Sequence, residues 1–97
     1  VSNDTAIMLE PKDPAETTYY VFDFSALLAP DESIANYVLE QPAELVQVSD
    51  SSDGRAVTAY YSGGFEGKVY RPRCKITSDS ATPQVLVRSL AFRCEKR

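Results

Sequence analysis

Ninety-seven residues carry a net charge of −4, no histidine, no tryptophan and two cysteines. That length makes one domain and buries about 60–65% of the surface its unfolded chain exposes, enough for a core but not for a core and a deep cleft. Without histidine there is no Ser-His-Asp triad, no Cys-His nucleophile and no His-ligated metal, and two cysteines alone do not make a zinc site.

The apolar content and mixed charge are those of a globular chain. No apolar run approaches the roughly 18–20 residues that span a bilayer, so no membrane partner is expected. The opening Val1-Ser2-Asn3-Asp4 is polar and acidic, unlike the basic start of a signal peptide. Charge is divided along the chain. Residues 1–53 hold eleven acids and one base, and residues 54–97 hold three acids and nine bases. Strands from the two halves lying side by side would neutralise this split. A polar subunit steered to a charged partner is the functional alternative. The net negative charge disfavours nucleic acid. Cys74 and Cys94 read as two free, buried thiols in preference to a disulfide.

In chain order, residues 1–16 read as an N-terminal arm of the kind that orders on assembly, with a short strand at 6–9. Pro11 and Pro14 then bar regular structure. Residues 17–97 form the domain. Residues 17–24 are a strand, with Tyr20, Phe22 and Phe24 on one face and Tyr19, Val21 and Asp23 on the other. A turn over 25–30 sends Leu27 and Leu28 to plug the end of the core, and Pro30-Asp31-Glu32 is turn chemistry. Strands follow at 34–41 and 45–49. Asp50-Ser51-Ser52-Asp53-Gly54 reads as a polar loop ending in a reversal. Residues 56–61 are a strand with Val57, Ala59 and Tyr61 together.

Ser62-Gly63-Gly64-Phe65-Glu66-Gly67 holds three of the four glycines and reads as the reversal that sets 57–61 against 70–76. A strand over 68–78 puts Tyr70, Pro72, Cys74 and Ile76 on one face and Arg71, Arg73 and Lys75 on the other. Pro72 cannot donate to a ladder, which predicts an edge position or a bulge there. The last strand, 84–94, groups Leu86, Leu90, Phe92 and Cys94. Short strands, turn signals and no convincing helix give an all-β, immunoglobulin-like antiparallel β-sandwich of about seven strands with an N-terminal arm.

Sites of chemistry are scarce. The pairs Asp31/Glu32 and Asp50/Asp53 lie in loops of the acidic half and read as solvated. The 50–54 loop lacks the middle ligand and the closing glutamate of a calcium loop. Gly63-Gly64-x-x-Gly67 opens a strand, whereas a phosphate-binding loop opens a helix. No cofactor is expected. The candidate contact residues are the basic stripe Arg71, Arg73 and Lys75, weighed against a solvated face paired with acids, and Tyr60 among the exposed tyrosines Tyr19, Tyr37 and Tyr60.

Several stretches share a pattern: Pro11-Lys12-Asp13-Pro14, then Tyr20-Val21-Phe22-Asp23-Phe24, Leu27-Leu28 through Ile34, the glycine segment 62–67 with Tyr70 and Ile76-Thr77, and Arg88-Ser89-Leu90-Ala91-Phe92. With these the chain resembles small virion proteins of tailed bacteriophages and prophages over nearly its whole length. Pro72 and Cys74 depart from that pattern. The resemblance implies a non-enzymatic structural protein of the virion, made in the host bacterial cytoplasm. Its implied role is capsid decoration, head–tail completion or a tail accessory. Its implied partners are other proteins of capsid, neck or tail, with further copies of itself also allowed. An adhesion or glycan-binding module is the alternative function.

Overall fold

The computed structural model describes residues 7–96, and eight strands account for most of them. They are β1 (Ile7–Met8), β2 (Thr18–Asp23), β3 (Ile34–Glu40), β4 (Leu45–Ser52), β5 (Ala56–Gly63), β6 (Val69–Tyr70), β7 (Arg73–Ser78) and β8 (Val85–Arg93). One sheet runs β2-β5-β4 and the other runs β1-β8-β7-β3, with β6 also on β8. Every pairing is antiparallel except β1 on β8. This is an all-β sandwich, as the alternation requires.

Each sheet turns one face inward, because the strand period of two sorts its side chains. Phe22, Val57, Ala59 and Tyr61 from the first sheet meet Tyr70, Cys74, Ile76, Leu90, Phe92 and Cys94 from the second. Tyr20 stacks on Phe92 across the gap, with ring centroids 4.7 Å apart. Burying each large apolar side chain contributes about 1.5–3 kcal/mol before chain entropy is counted. Leu28 plugs one end of this core as expected, while Leu27 points outward at 40% exposure. The two hydrogen bonds to the Phe24 carbonyl, from Leu27 N and Leu28 N, close a single turn, so neighbouring side chains diverge. Both cysteines are free and buried. Desolvation pushes the Cys74 thiol up to about 12, so it is an inert core filler.

Strand β4 runs on to Ser52, through most of the expected 50–54 loop. A bulge between Gln47 and Ser49 admits one extra residue and lets Asp50, Ser51 and Ser52 stay paired with β5. The reversal is then made by Asp53 and Gly54. Asp53 Oδ1 accepts from the N–H groups of Arg55 and Ala56, and Gly54 takes φ +95°.

The glycine segment differs from its expected role. Strand β5 pairs with β2 and β4 and not with β7, so 64–67 is a crossing from one sheet to the other rather than a hairpin. Pro72 interrupts one continuous line. The register of β6 on β8 (Tyr70↔Phe92) continues into that of β7 (Arg73↔Ser89) with no bulge. Leu90 N still donates to the Pro72 carbonyl, and only the reciprocal donor is lost. The β3–β7 pairing ends at Glu40↔Arg73, so residue 72 has β8 alone as a strand neighbour. That is an edge position, one of the two solutions a strand proline allows.

Beyond the short β1, Leu9 N donates to Ala91 O, Lys12 N to Arg93 O, and Glu95 N to Lys12 O. Residues 7–12 therefore lie along β8. Residues 1–6 of the expected arm fall outside the described residues.

The crossing gives a paired stability test. Both Gly64 and Gly67 have positive φ, but a Cβ on Gly64 would stand 2.5 Å from Cys94 Sγ, whereas a Cβ on Gly67 meets nothing within 4 Å. Gly67→Ala carries the backbone strain alone and is expected to cost about 1–2 kcal/mol. Gly64→Ala adds overpacking against a buried side chain and is expected to cost about 1–3 kcal/mol more. Urea unfolding of the two variants measures the difference.

Candidate assembly surfaces

Two outer faces and two tied ends are what the sandwich offers to other molecules. The outer face of β2-β5-β4 is apolar and nearly uncharged. Tyr19 lies opposite Tyr60, with ring centroids 5.7 Å apart, and Val21 lies opposite Thr58. Val46 and the bulged Val48 continue the face on β4. Tyr19, Val46 and Val48 are each more than half exposed. The bulge places Val48 and Ser49 together beside Tyr60, which widens the face. Asp23 at one end is its acidic member.

The outer face of the other sheet carries a basic stripe, with Val38 and Val85 exposed beside it. Arg71, Arg73 and Lys75 stand on one line of β6–β7. Arg73 is bracketed by Glu40 and Ser89, and its Nε lies 3.2 Å from Glu40 Oε1. Lys75 is bracketed by Val38 and Val87. Arg71 and Lys75 are exposed and form no ion pair among the described residues. Half-exposed pairs such as Arg73–Glu40 contribute little to stability, so this face is available for contact.

The structure thus keeps Arg71, Arg73 and Lys75 together and separates Tyr60 from them. Tyr60 points outward from the opposite sheet, with the core between. Sequence period assigns a side chain to a face, but not to a sheet. Of the other tyrosines, Tyr19 is the most exposed, and Tyr37 is half-buried with its hydroxyl donating to Asp50 Oδ1.

The ends are tied by charges that look like ordinary turn residues in the sequence. At one end Glu32 is 5% exposed. Its Oε1 accepts from Ala29 N at 3.0 Å and from Gln84 Nε2 at 2.8 Å. The Ser78 hydroxyl is its strongest stabiliser, and together these donors pull the carboxyl down to about 2. Arg55 crosses the same turn, donating to the carbonyls of Ser25, Ala29 and Glu32. At the other end Lys12 is 1% exposed and donates to Gly63 O at 2.8 Å and Asp13 O at 3.1 Å. Desolvation lowers its pKa, opposed by Cys94, Glu16 and Asp13. Neither role is visible in the sequence alone. Glu32 has the setting of a solvated turn acid, and the one visible hint is its placement two residues before a strand. Lys12 is the lone base in the acidic half.

No group of three or more metal-binding side chains occurs among the described residues. Asp50 is instead engaged by Tyr37 and Gln47, and Asp53 by backbone N–H groups.

Glu32 predicts an acid limit to stability. Its folded pKa lies below the ordinary 4.5, so its contribution is complete above about pH 4.5 and is lost as pH falls towards about 2. Glu32→Gln is expected to be less stable than the parent at neutral pH and to lose that part of the acid dependence. Thermal unfolding of both chains between pH 7 and 2 tests it.

A family model described as podophage GP4 fiber-tail adaptor protein gp77 matches residues 12–93. No curated protein matches the chain. The chain belongs to the gp77 family of podophage fiber-tail adaptors and is a structural protein of the phage tail. Among the virion roles that the resemblance implied, the family points to the tail.

Proposed function

We propose that this member of the gp77 family is a non-enzymatic adaptor that binds two different neighbours through its two opposite outer faces. The observation that carries the reading is the contrast between those faces: Tyr19, Val21, Tyr60, Val46 and Val48 on one, and Arg71, Arg73 and Lys75 on the other. A joint between two structures needs two surfaces that do not compete, and faces of unlike chemistry discriminate between partners. The uncharged face suits a close-packed apolar contact, with tyrosines giving large area at low entropy cost. The basic face suits an acidic neighbour, drawn in over a range set by salt. Many copies on a symmetric tail would convert modest contacts into firm attachment.

The sandwich is also proposed to be immunoglobulin-like. The order β2-β5-β4 against β8-β7-β3 corresponds to B-E-D against G-F-C of that fold, and supports this topology. The lead-in 1–16 is proposed as an arm anchored to the domain at Lys12, whose ammonium rests on Gly63 O.

Two variants test the adaptor. Tyr60→Asp puts a charge on the apolar face, and Arg71→Glu with Lys75→Glu reverses the basic face. Each is expected to melt within about 4 °C of the parent, since exposed strand positions tolerate change. Each is expected to lose incorporation into tails assembled by the parent phage, and the basic-face contact is expected to weaken with added salt. Full incorporation of both variants would remove the two-face reading.

A further inference from the structure

We propose that the edge of β2 left open among the described residues is a strand-addition site, which takes an extended segment from a partner chain of the tail or fibre, with a carboxylate or amide oxygen of that segment over Arg88. This rests on the tail-adaptor reading and adds a site to it.

The backbone carries the first part of the argument. Phe24 N donates to Arg55 O, which fixes the even-numbered residues of β2 as those bonded to β5. The N–H and C=O groups of Tyr19, Val21 and Asp23 therefore point to the open side, and no backbone partner meets them among the described residues. Unpaired ladder groups in a row specify their own complement, another strand.

The other edges are blunted. Strand β4 has its bulge between Gln47 and Ser49, and β3 has one between Ile34 and Asn36. Strand β8 is met by β1 and by the bridge from Lys12 to Cys94. Strand β2 pairs over six residues without irregularity, and contains neither lysine nor proline. Bulges, charges and prolines are the usual protections of an edge, and this one has only Asp23 at its end.

The grooves beside the edge carry the second part. One is a cavity of about 160 Å³ lined by Val21, Phe22, Asp23, Ala26, Arg88 and Leu90. Another opens at the far end of β2, against Leu9, Glu10 and Pro11. Alternate side chains of an added strand would enter these two. In the first, Arg88 Nε is buried and has no hydrogen-bond partner among the described residues. Arg88 as a whole is only half-buried and shares the cavity with the Asp23 carboxylate, so a carboxylate or amide oxygen entering there would meet the guanidinium at its more open N–H groups. The opposite side chains of the added strand would continue the apolar face begun by Tyr19 and Val21.

The test is amide hydrogen exchange on the full chain, free and in tail particles of the parent phage. The peptide covering β2 is expected to exchange about tenfold or more slowly in the tail than in the free chain, with a smaller change in β3 and β4, whose contacts there are made by side chains. Val21→Pro removes an outward N–H without touching the β5 ladder, and Val21→Lys charges the edge as a second variant should the proline disturb folding. Folded variants are expected to enter tails about tenfold less well than the parent. Slow exchange of Tyr19, Val21 and Asp23 in the free chain would show that the chain covers its own edge, and would overturn the proposal. So would tails that contain the chain but leave β2 unprotected, or normal assembly of both variants. Tails that lack the chain would overturn the adaptor reading itself, and this site with it.

Discussion

The Lys12 ammonium on the Gly63 carbonyl is the contact on which the arrangement of the two sheets turns. At Gly63 the chain leaves β5 and begins its passage to the other sheet. The carbonyl there has finished its ladder, and a buried acceptor without a donor would be expensive. Lys12 supplies the donor from a segment held along β8, so one hydrogen bond joins the first sheet, the crossing and the edge of the second sheet. Cys94 occupies the space that a side chain at Gly64 would need, and its carbonyl accepts from Gly67 N at 2.7 Å. Tyr70 Oη accepts from Phe65 N, and Lys68 pairs with Glu44 outside the turn. The crossing is tied from several directions because it has no ladder of its own.

The uneven charge of the sequence finds its explanation in the interleaving of strands. Strand β5, from the basic half, lies between β2 and β4 from the acidic half. Strand β3, from the acidic half, lies beside β7. Glu40 therefore meets Arg73, and Glu44 meets Lys68. Charges that meet across these seams are compensated, whereas Lys75 lies opposite Val38 and Arg71 lies beyond the end of the β3–β7 pairing, so both keep a basic surface. The acidic half does not form an acidic body.

Strand faces were legible in the sequence because the period of two is enforced by burial. Val57, Ala59 and Tyr61 are all fully buried, as their alternation requires. Sheet membership was not legible. Glycine chemistry at 62–67 announces positive φ but says nothing of whether the next strand returns beside the last or crosses to the facing sheet. The same gap grouped Tyr60 with the basic stripe. The continuation of β4 to Ser52 was hidden by its composition, since Asp50, Ser51 and Ser52 suit a loop until a partner strand pays for their ordering. Glu32 was hidden for a different reason. Its donors come from Ala29 nearby and from Ser78 and Gln84 far along the chain, and no local pattern records a long-range acceptor.

A chain of this size has little interior to give to a binding cleft. Its two end clasps use their buried charges internally, and its thiols are part of the core. Recognition is left to faces and edges, where the requirements of folding and of assembly differ. Folding alone would favour a bulge or a lysine on β2, as a guard against pairing with other chains. It would also favour polar groups in place of Tyr19, Val46 and Val48 on the outer face. Both protections are missing on the same side of the sandwich; on the other side Val38 and Val85 are exposed too, but among Arg71, Arg73 and Lys75, and the edges there are bulged or covered. A tail component spends its working life against neighbours, so the exposed edge and the apolar face are hazards chiefly before assembly. Their coincidence on one sheet makes a single contact region, with backbone complementarity at its margin and side-chain packing across its middle.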